Sequence, residues 1–441
     1  MPSNYLNNKN ILILGGGREG ISAAYYLNQL YPSATLSVAD RQVLDIALPN
    51  GTQPLYGPNY PASLEQWDLV IVSPGIPPND PLLATARAVT TSTNIFMDDC
   101  AGMVIGVTGS KGKSTTASII HNILTTAGKH AYLVGNIGYP ALAELSRHND
   151  KEDIFVFEMS SYQLSRINKG PEIAVITNLF PEHLDYHGDV QQYYADKMNI
   201  TMKQKPEQVV IANQAYGELL QRVQQSQATK IFYPDMQGPH TQDSTVMLGN
   251  LELVHRSEIQ LKGDHNVENI MAAVAVTSYM DIAMNAIKQG IVTFTPLPHR
   301  LALVGTVNGV TFYNDSLATT PEATIAAINA LENVGTIILG GLNRGYDFSQ
   351  LALLITQKQI PNIAFFPDSG AQIEEQLLKL KYEPNRIHTQ SMKEAVAFAF
   401  KNSPKGSICL LSCASPSYSV FRNYEDRGNQ FEQAVIELQT Q

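Results

Sequence analysis

Two glycine turns carry the clearest chemistry in the chain. The segment TGSKGKST at 108–115 follows the apolar run GMVIGV and precedes a helical pattern over 117–124. Glycines there let backbone N–H groups face phosphate oxygens, and a helix N-terminus adds partial positive charge. Gly109, Ser110, Lys111 and Gly112 would form the cradle. Lys113 would reach the outer phosphates of ATP, and Ser114 or Thr115 would ligate Mg²⁺. The loop is a variant, because Val107 stands where the strict pattern has glycine, with Gly106 and Gly109 nearby. The second turn, Gly15-Gly16-Gly17-Arg18-Glu19-Gly20, ends an apolar run and is followed by Asp40 at another strand end. That is the dinucleotide fingerprint in its usual context. It suits a nicotinamide or flavin cofactor, a purely structural helix–strand turn, or the diphosphate of a UDP-linked molecule. Beside a phosphate-binding loop, the last is preferred.

A second cluster follows the phosphate turn. Glu158 ends the run IFVFE, and a carboxylate at the carboxyl edge of a parallel sheet is placed to hold Mg²⁺. The segment NLFPEHLDYHG at 178–188 then brings Glu182, His183, Asp185 and His187 to a strand end. A capped loop would also explain Glu182 and His183. The spacing of a zinc protease is absent.

These turns need elements to hold them. Apolar runs at 10–14, 35–40, 68–72, 102–108, 154–158, 173–178 and 209–213 alternate with helical patterns, as do runs at 311–315, 336–341, 362–366 and 407–412. The alternation predicts an α/β protein of parallel sheets wrapped by helices. A length of 441 residues favours several domains. The expected division is 1–98 with a Rossmann-like UDP-binding sheet, 99–295 with a P-loop ATPase-type sheet, and 296–441 with a second Rossmann-like sheet. The prolines of FTPLPH at 294–299 mark a hinge or linker.

Composition narrows the class. With 44% hydrophobic and 16% charged residues the chain is globular, and its net charge of -10 argues against non-specific nucleic-acid binding. The first residues lack a signal-peptide layout, and no run reaches the roughly 20 apolar residues that span a bilayer. Three cysteines without metal spacing suit reduced thiols, so a cytoplasmic enzyme without membrane insertion is expected.

Taken together, the motifs resemble the Mur ligases of peptidoglycan assembly, especially the branch that adds glutamate to UDP-N-acetylmuramoyl-L-alanine. The matching segments are TGSKGKST, GNIG (135–138), EMSSYQL (158–164), NLFPEHLDYHG, YYADKMNI (193–200), GDHNVENIMAA (263–273), LPHR (297–300), NDSLATT (314–320) and NYEDRGNQF (423–431). The resemblance implies that Lys113 and Ser114 bind ATP phosphates and magnesium, that Glu158 and His183 serve metal ions, and that Lys197 is carbamylated. It also implies that Asn266, Asn269, His299, Arg300 and Asp315 clamp the nucleotide. Gly15, Gly16, Gly17, Arg18, Asp40 and Gly75 would surround the uridine diphosphate, with Asn136 supporting the phosphate region. The implied enzyme is a monomer that forms an acyl phosphate from ATP and couples it to an amine.

The departures lie in the amino-acid pocket, where Thr319, Arg344, Ser417, Tyr418 and Phe421 would bind glutamate. Many D-glutamate-adding members have lysine in place of Leu317 and of Arg344. Losing one cation and replacing another by a planar fork changes how a dicarboxylate is held. These variants are similar to a smaller L-glutamate-adding subfamily, so L-glutamate is expected, with D-glutamate as the alternative.

Overall fold

Apolar runs that end in glycine or asparagine become strands buried on both faces, as parallel strands covered by helices must be. In the computed structural model, which describes residues 4–439, these strands build three parallel or mostly parallel sheets. The first has the order Gln53–Tyr56, Thr35–Asp40, Asn10–Leu14, Leu69–Val72, Val89–Thr90, all parallel. The second runs Thr229–Tyr233, Val209–Asn213, Ile173–Ile176, Met103–Thr108, Ile154–Glu158, Ala131–Gly135, again all parallel. In both sheets the strand that comes first in the chain is central and the order reverses beside it. Ligands bind at the carboxyl ends of strands at such a switch point. Both glycine turns sit there.

The third sheet has the order Ala302–Val307, Val310–Asn314, Ile408–Leu411, Val334–Gly340, Asn362–Phe366, Asn385–His388, with only the first pair antiparallel. A small antiparallel sheet (Pro239–Gln242, Thr245–Leu248, Leu251–His255) was not expected from sequence. Its strands mix His240, Gln242 and Glu252 with short apolar stretches such as Val246-Met247-Leu248, a weaker signal than the runs that reveal the parallel strands.

The chain divides into two compact units, Met1–Ile259 with Val267–Phe294, and Gln260–Asn266 with Thr295–Gln441. The first unit contains both all-parallel sheets. One hydrophobic core joins them, drawing on Ile11, Tyr26, Phe96, Phe155, Phe157 and Ile176. Phe96 meets Phe155 and Phe157 edge-on, with ring centroids 5.3 and 5.2 Å away. The second unit has its own cores on the two faces of its sheet. No helix among the described residues is long and apolar enough to cross a membrane.

Candidate active site

The phosphate-type turn follows Met103–Thr108 and leads into the helix Lys113–Thr126. Gly112 caps that helix with φ +82°, and a side chain there would run into Asn269, so glycine is required on two counts. The neighbouring strand end braces the turn. Lys111 N donates to Asn178 Oδ1 at 2.8 Å, Thr177 Oγ1 donates to Lys111 O at 2.6 Å, and Ser110 Oγ donates to Phe180 O at 2.8 Å. Lys113 Nζ folds back onto Ser110 O at 2.8 Å. The Thr116 hydroxyl donates to Asn269 Oδ1 at 3.2 Å, tying the helix Asp264–Tyr279 to the turn.

Beside the turn stand a carboxylate and an amine. Glu158 is only 1% exposed. Its Oε2 accepts from Ser114 Oγ at 3.1 Å, while Oε1 is buried without a hydrogen-bond partner. Lys197 is 2% exposed, and its Nζ donates to Gly109 O at 2.7 Å and lies 5.0 Å from the Tyr193 ring centroid. Burial, reinforced by the Lys113 charge, drives the Lys197 pKa well below the ordinary lysine range. His183 has the left-handed backbone (φ +54°) and is exposed, its ring packed 5.0 Å from that of Tyr162. Asn136 is exposed, with its backbone N–H on Glu158 O.

The N-terminal turn is built as the fingerprint requires. A side chain at Gly20 would strike the carbonyl of Gly15, so the helix Arg18–Leu30 packs on the first strand only with glycine there. Asp40 accepts from Gly16 N and from Gln42 N, each at 2.9 Å, so it shapes the loop itself. Arg18 donates to Gly138 O of the GNIG segment. Gln163 Nε2 donates to Glu19 Oε1 at 2.7 Å, and Gln163 Oε1 accepts from Ser160 N at 2.8 Å. The Tyr186 hydroxyl donates to Pro74 O at 2.9 Å, beside Gly75.

These contacts join the two glycine turns within one unit. Three family models match in series: Mur ligase MurD-like N-terminal domain at residues 9–93, Mur ligase middle domain at 107–277, and Mur ligase glutamate ligase domain at 299–414. The chain belongs to the Mur ligase family.

Mur ligases are ATP-dependent enzymes that join an acid to an amino acid, and this chain is one of them. It is 33% identical over 446 residues to the UDP-N-acetylmuramoylalanine–D-glutamate ligase of Streptococcus pneumoniae strain CGSP14, covering 98% of each chain. The enzyme of that name from strain D39 matches equally, at 33% and 98% of each chain. Among solved structures, the Thermotoga maritima MurF ligase in complex with ADP aligns with a TM-score of 0.60 at 14% identity, over 99% of this chain and 97% of the other. The Thermotoga maritima UDP-N-acetylmuramate-alanine ligase MurC aligns at 0.61 and 15%, over 97% and 99%. At such identities the structures speak for the fold.

In the second unit, the loops at the carboxyl edge of the sheet come together. Arg427, fully buried, donates Nε to Ser316 Oγ at 3.0 Å, Nη2 to Ser316 O at 2.7 Å and Nη1 to Ser415 O at 3.0 Å. Leu342 N donates to Pro416 O at 2.8 Å, drawing the Arg344 loop to the Ser417 loop. Ser417 is buried, Phe421 is buried edge-on to Phe366, Thr319 is half-buried, and Tyr418 and Arg344 are exposed. Asp315 accepts from Leu301 N at 3.0 Å and from Ser412 Oγ at 2.8 Å, and burial pushes its pKa up to about 7. His299 is buried with Nδ1 2.9 Å from Asn314 Nδ2, Arg300 follows it half-buried, and Asn266 Nδ2 donates to Lys262 O at 2.6 Å.

Sequence reasoning missed several groups that shape this site. Tyr193, whose hydroxyl lies 2.9 Å from Ser110 Oγ, and the Lys111–Glu182 ion pair are two of them. The Ser160-x-x-Gln163 spacing was a legible capping box that could have flagged Gln163.

Proposed function

We propose that this protein ligates glutamate to UDP-N-acetylmuramoyl-L-alanine through an acyl phosphate, using ATP and Mg²⁺. The observation that carries the reading is the Lys197 amine, buried and hydrogen-bonded to Gly109 of the phosphate turn, with Glu158 beside that turn and bonded to Ser114. In this reading residues 1–98 bind the UDP precursor, 99–295 bind ATP, and 296–441 supply the glutamate pocket and the nucleotide clamp. The enzyme works as a cytoplasmic monomer.

The residues fit a hard divalent cation. A buried carboxylate oxygen without a partner is costly unless something positive meets it, and Glu158 Oε1 is such an oxygen. Glu158, the Ser114 hydroxyl and His183 would hold Mg²⁺. Among the described residues no three His, Cys, Asp or Glu side chains form a ready-made cage, as suits an ion held by few protein ligands and by phosphates. When bound, Mg²⁺ neutralises charge on the transferring phosphoryl group.

Lys197 supplies a further ligand in carbamylated form. Its lowered proton affinity favours the neutral amine, which adds to CO₂ as the N–C bond forms and one N–H proton leaves to solvent. Lys113 contributes a fixed positive charge once it leaves Ser110 O for the phosphates. A substrate carboxylate oxygen then attacks the γ-phosphorus and the bond to ADP breaks. The glutamate amine attacks the acyl carbon, and the tetrahedral intermediate expels phosphate as the amine loses a proton. Gly15, Gly16, Gly17 and Gly75 line the diphosphate end of the acceptor, with Arg18 and Asp40 holding the loops in shape.

For the isomer we take D-glutamate. The named activity of the relatives at 33% identity supports it over the L-glutamate suggested by Leu317 and Arg344. The test is phosphate release from ATP with Mg²⁺ and UDP-N-acetylmuramoyl-L-alanine, run separately with D- and L-glutamate. Turnover with the D-isomer is expected. Turnover with L alone would restore the pocket argument, and turnover with neither would overturn the acceptor assignment.

A further inference from the structure

Three side chains not assigned to the site are joined in series inside the first unit. Ser161 Oγ lies 3.0 Å from His187 Nε2, and His187 Nδ1 lies 2.6 Å from Asp196 Oδ2. Gln192 Nε2 donates to the remaining Asp196 oxygen at 2.9 Å. All three are buried, and the Tyr162 ring stacks on His187 at a centroid distance of 5.6 Å. A Ser–His–Asp series is also the arrangement of an activated nucleophile. Here the serine is 2% exposed and the imidazole side chain 0%, so no acyl group can approach.

Their places in the chain give the series a different use. Ser161 opens the short helix Ser161–Leu164 just after Glu158, and His187 closes the helix Leu184–His187 just after His183. Asp196 immediately precedes Lys197 on the helix Val190–Met202. Each hydrogen bond in the series therefore spans two of the three segments that carry Glu158, His183 and Lys197. A buried polar network with every member satisfied fixes one arrangement of the segments it links. Groups that orient metal-site ligands without touching the metal act in this way.

We propose that Ser161, His187 and Asp196 are positioning residues that hold the Lys197 amine against the phosphate turn for carbamylation. The proposal rests on the carbamate reading above. It is tested by equilibrating the full chain and its variants with ¹³C-bicarbonate, then measuring the carbamate carbon signal alongside kcat and KM. Asp196→Ala and Ser161→Ala are expected to lose most of that signal. They should lose about tenfold to a hundredfold in kcat, with KM for the UDP precursor within about twofold of the parent. Asp196→Asn, which keeps an oxygen for His187, should recover most of both. UDP-precursor binding in the same samples reports folding, and Ser161→Ala, which deletes one hydroxyl, decides the matter should Asp196→Ala fail to fold. Folded Ala variants with the parent's carbamate signal and kcat would overturn the proposal, as would a loss that Asp196→Asn does not relieve. A parent protein with full turnover and no carbamate signal fails the carbamate reading itself, before any variant is compared, and the proposal with it.

Discussion

Lys111 Nζ and Glu182 Oε1 stand 2.6 Å apart, an ion pair between the phosphate turn and the loop that carries His183. Half of the lysine side chain is exposed, so the pair adds little to stability. Its effect falls on ligand binding, because Glu182 occupies the charge that Lys111 would offer to a phosphate.

Glu182→Gln is therefore expected to leave the melting temperature nearly unchanged and to lower KM for ATP about twofold to fivefold, as suits an interaction of ~0.5–1 kcal/mol. Steady-state kinetics at varied ATP checks this. A raised KM would mean that Glu182 works for the nucleotide site and not against it.

Lys197→Ala should lose ligation while still binding the UDP precursor, and short carboxylic acids added to the assay should return part of the rate. Depleting CO₂ should slow the parent protein and bicarbonate should restore it. Full turnover by Lys197→Ala would remove the carbamate from the mechanism.

Glu19 provides a pH signature. Burial pushes its pKa up to about 7, with Gln163 as its hydrogen-bond partner. The folded protein thus holds this proton more tightly than the unfolded chain. The resulting stability is complete below the ordinary glutamate range and is lost as pH rises through about 7. Glu19→Gln keeps the shape and removes the charge. Its melting temperature should match the parent near about pH 5 and exceed it near about pH 8, and parallel curves would refute the assignment.

Arg427 makes three hydrogen bonds to two loops of the second unit. Lysine cannot reproduce that fork. Arg427→Lys should cost about 2–4 kcal/mol in urea unfolding, reflecting charged hydrogen bonds worth ~1.5–3 kcal/mol each. It should also raise KM for glutamate, because Ser316 and Ser415 flank the residues proposed to bind it. An unchanged unfolding midpoint would show that the loops hold themselves.

What could be read from the sequence followed a physical rule. Strands buried on both faces announce themselves as apolar runs, so Met103–Thr108 and Ile154–Glu158 were visible, and with them the turn at 108–115 and Glu158. The strands between Pro239 and His255 were not, since exposed residues such as Thr241, Gln242 and Glu252 break up their apolar stretches. Among site residues, those within one contiguous motif were legible. The link between Ser161, His187 and Asp196 was not, because only folding brings three separate motifs within hydrogen-bond reach. Asp40 and Arg18 were placed near a ligand by their motif, while the fold also engages them with Gly16 and Gly138. Motif logic names neighbours of a ligand and is silent on what those side chains hold between themselves.

The two edge-on contacts of Phe96 bear on how such enzymes can be taken apart. Phe96 lies on the N-terminal side of the expected boundary at 98, yet its ring is a wall of the core around Phe155 and Phe157. A chain cut there would leave one fragment with an unfilled socket and the other with a stray aromatic ring. The N-terminal sheet is thus no interchangeable cartridge. Grafting one from a relative calls for refitting the Phe96 seam, or for moving the splice ahead of the helix Ser92–Asp99, so that the plug travels with its socket.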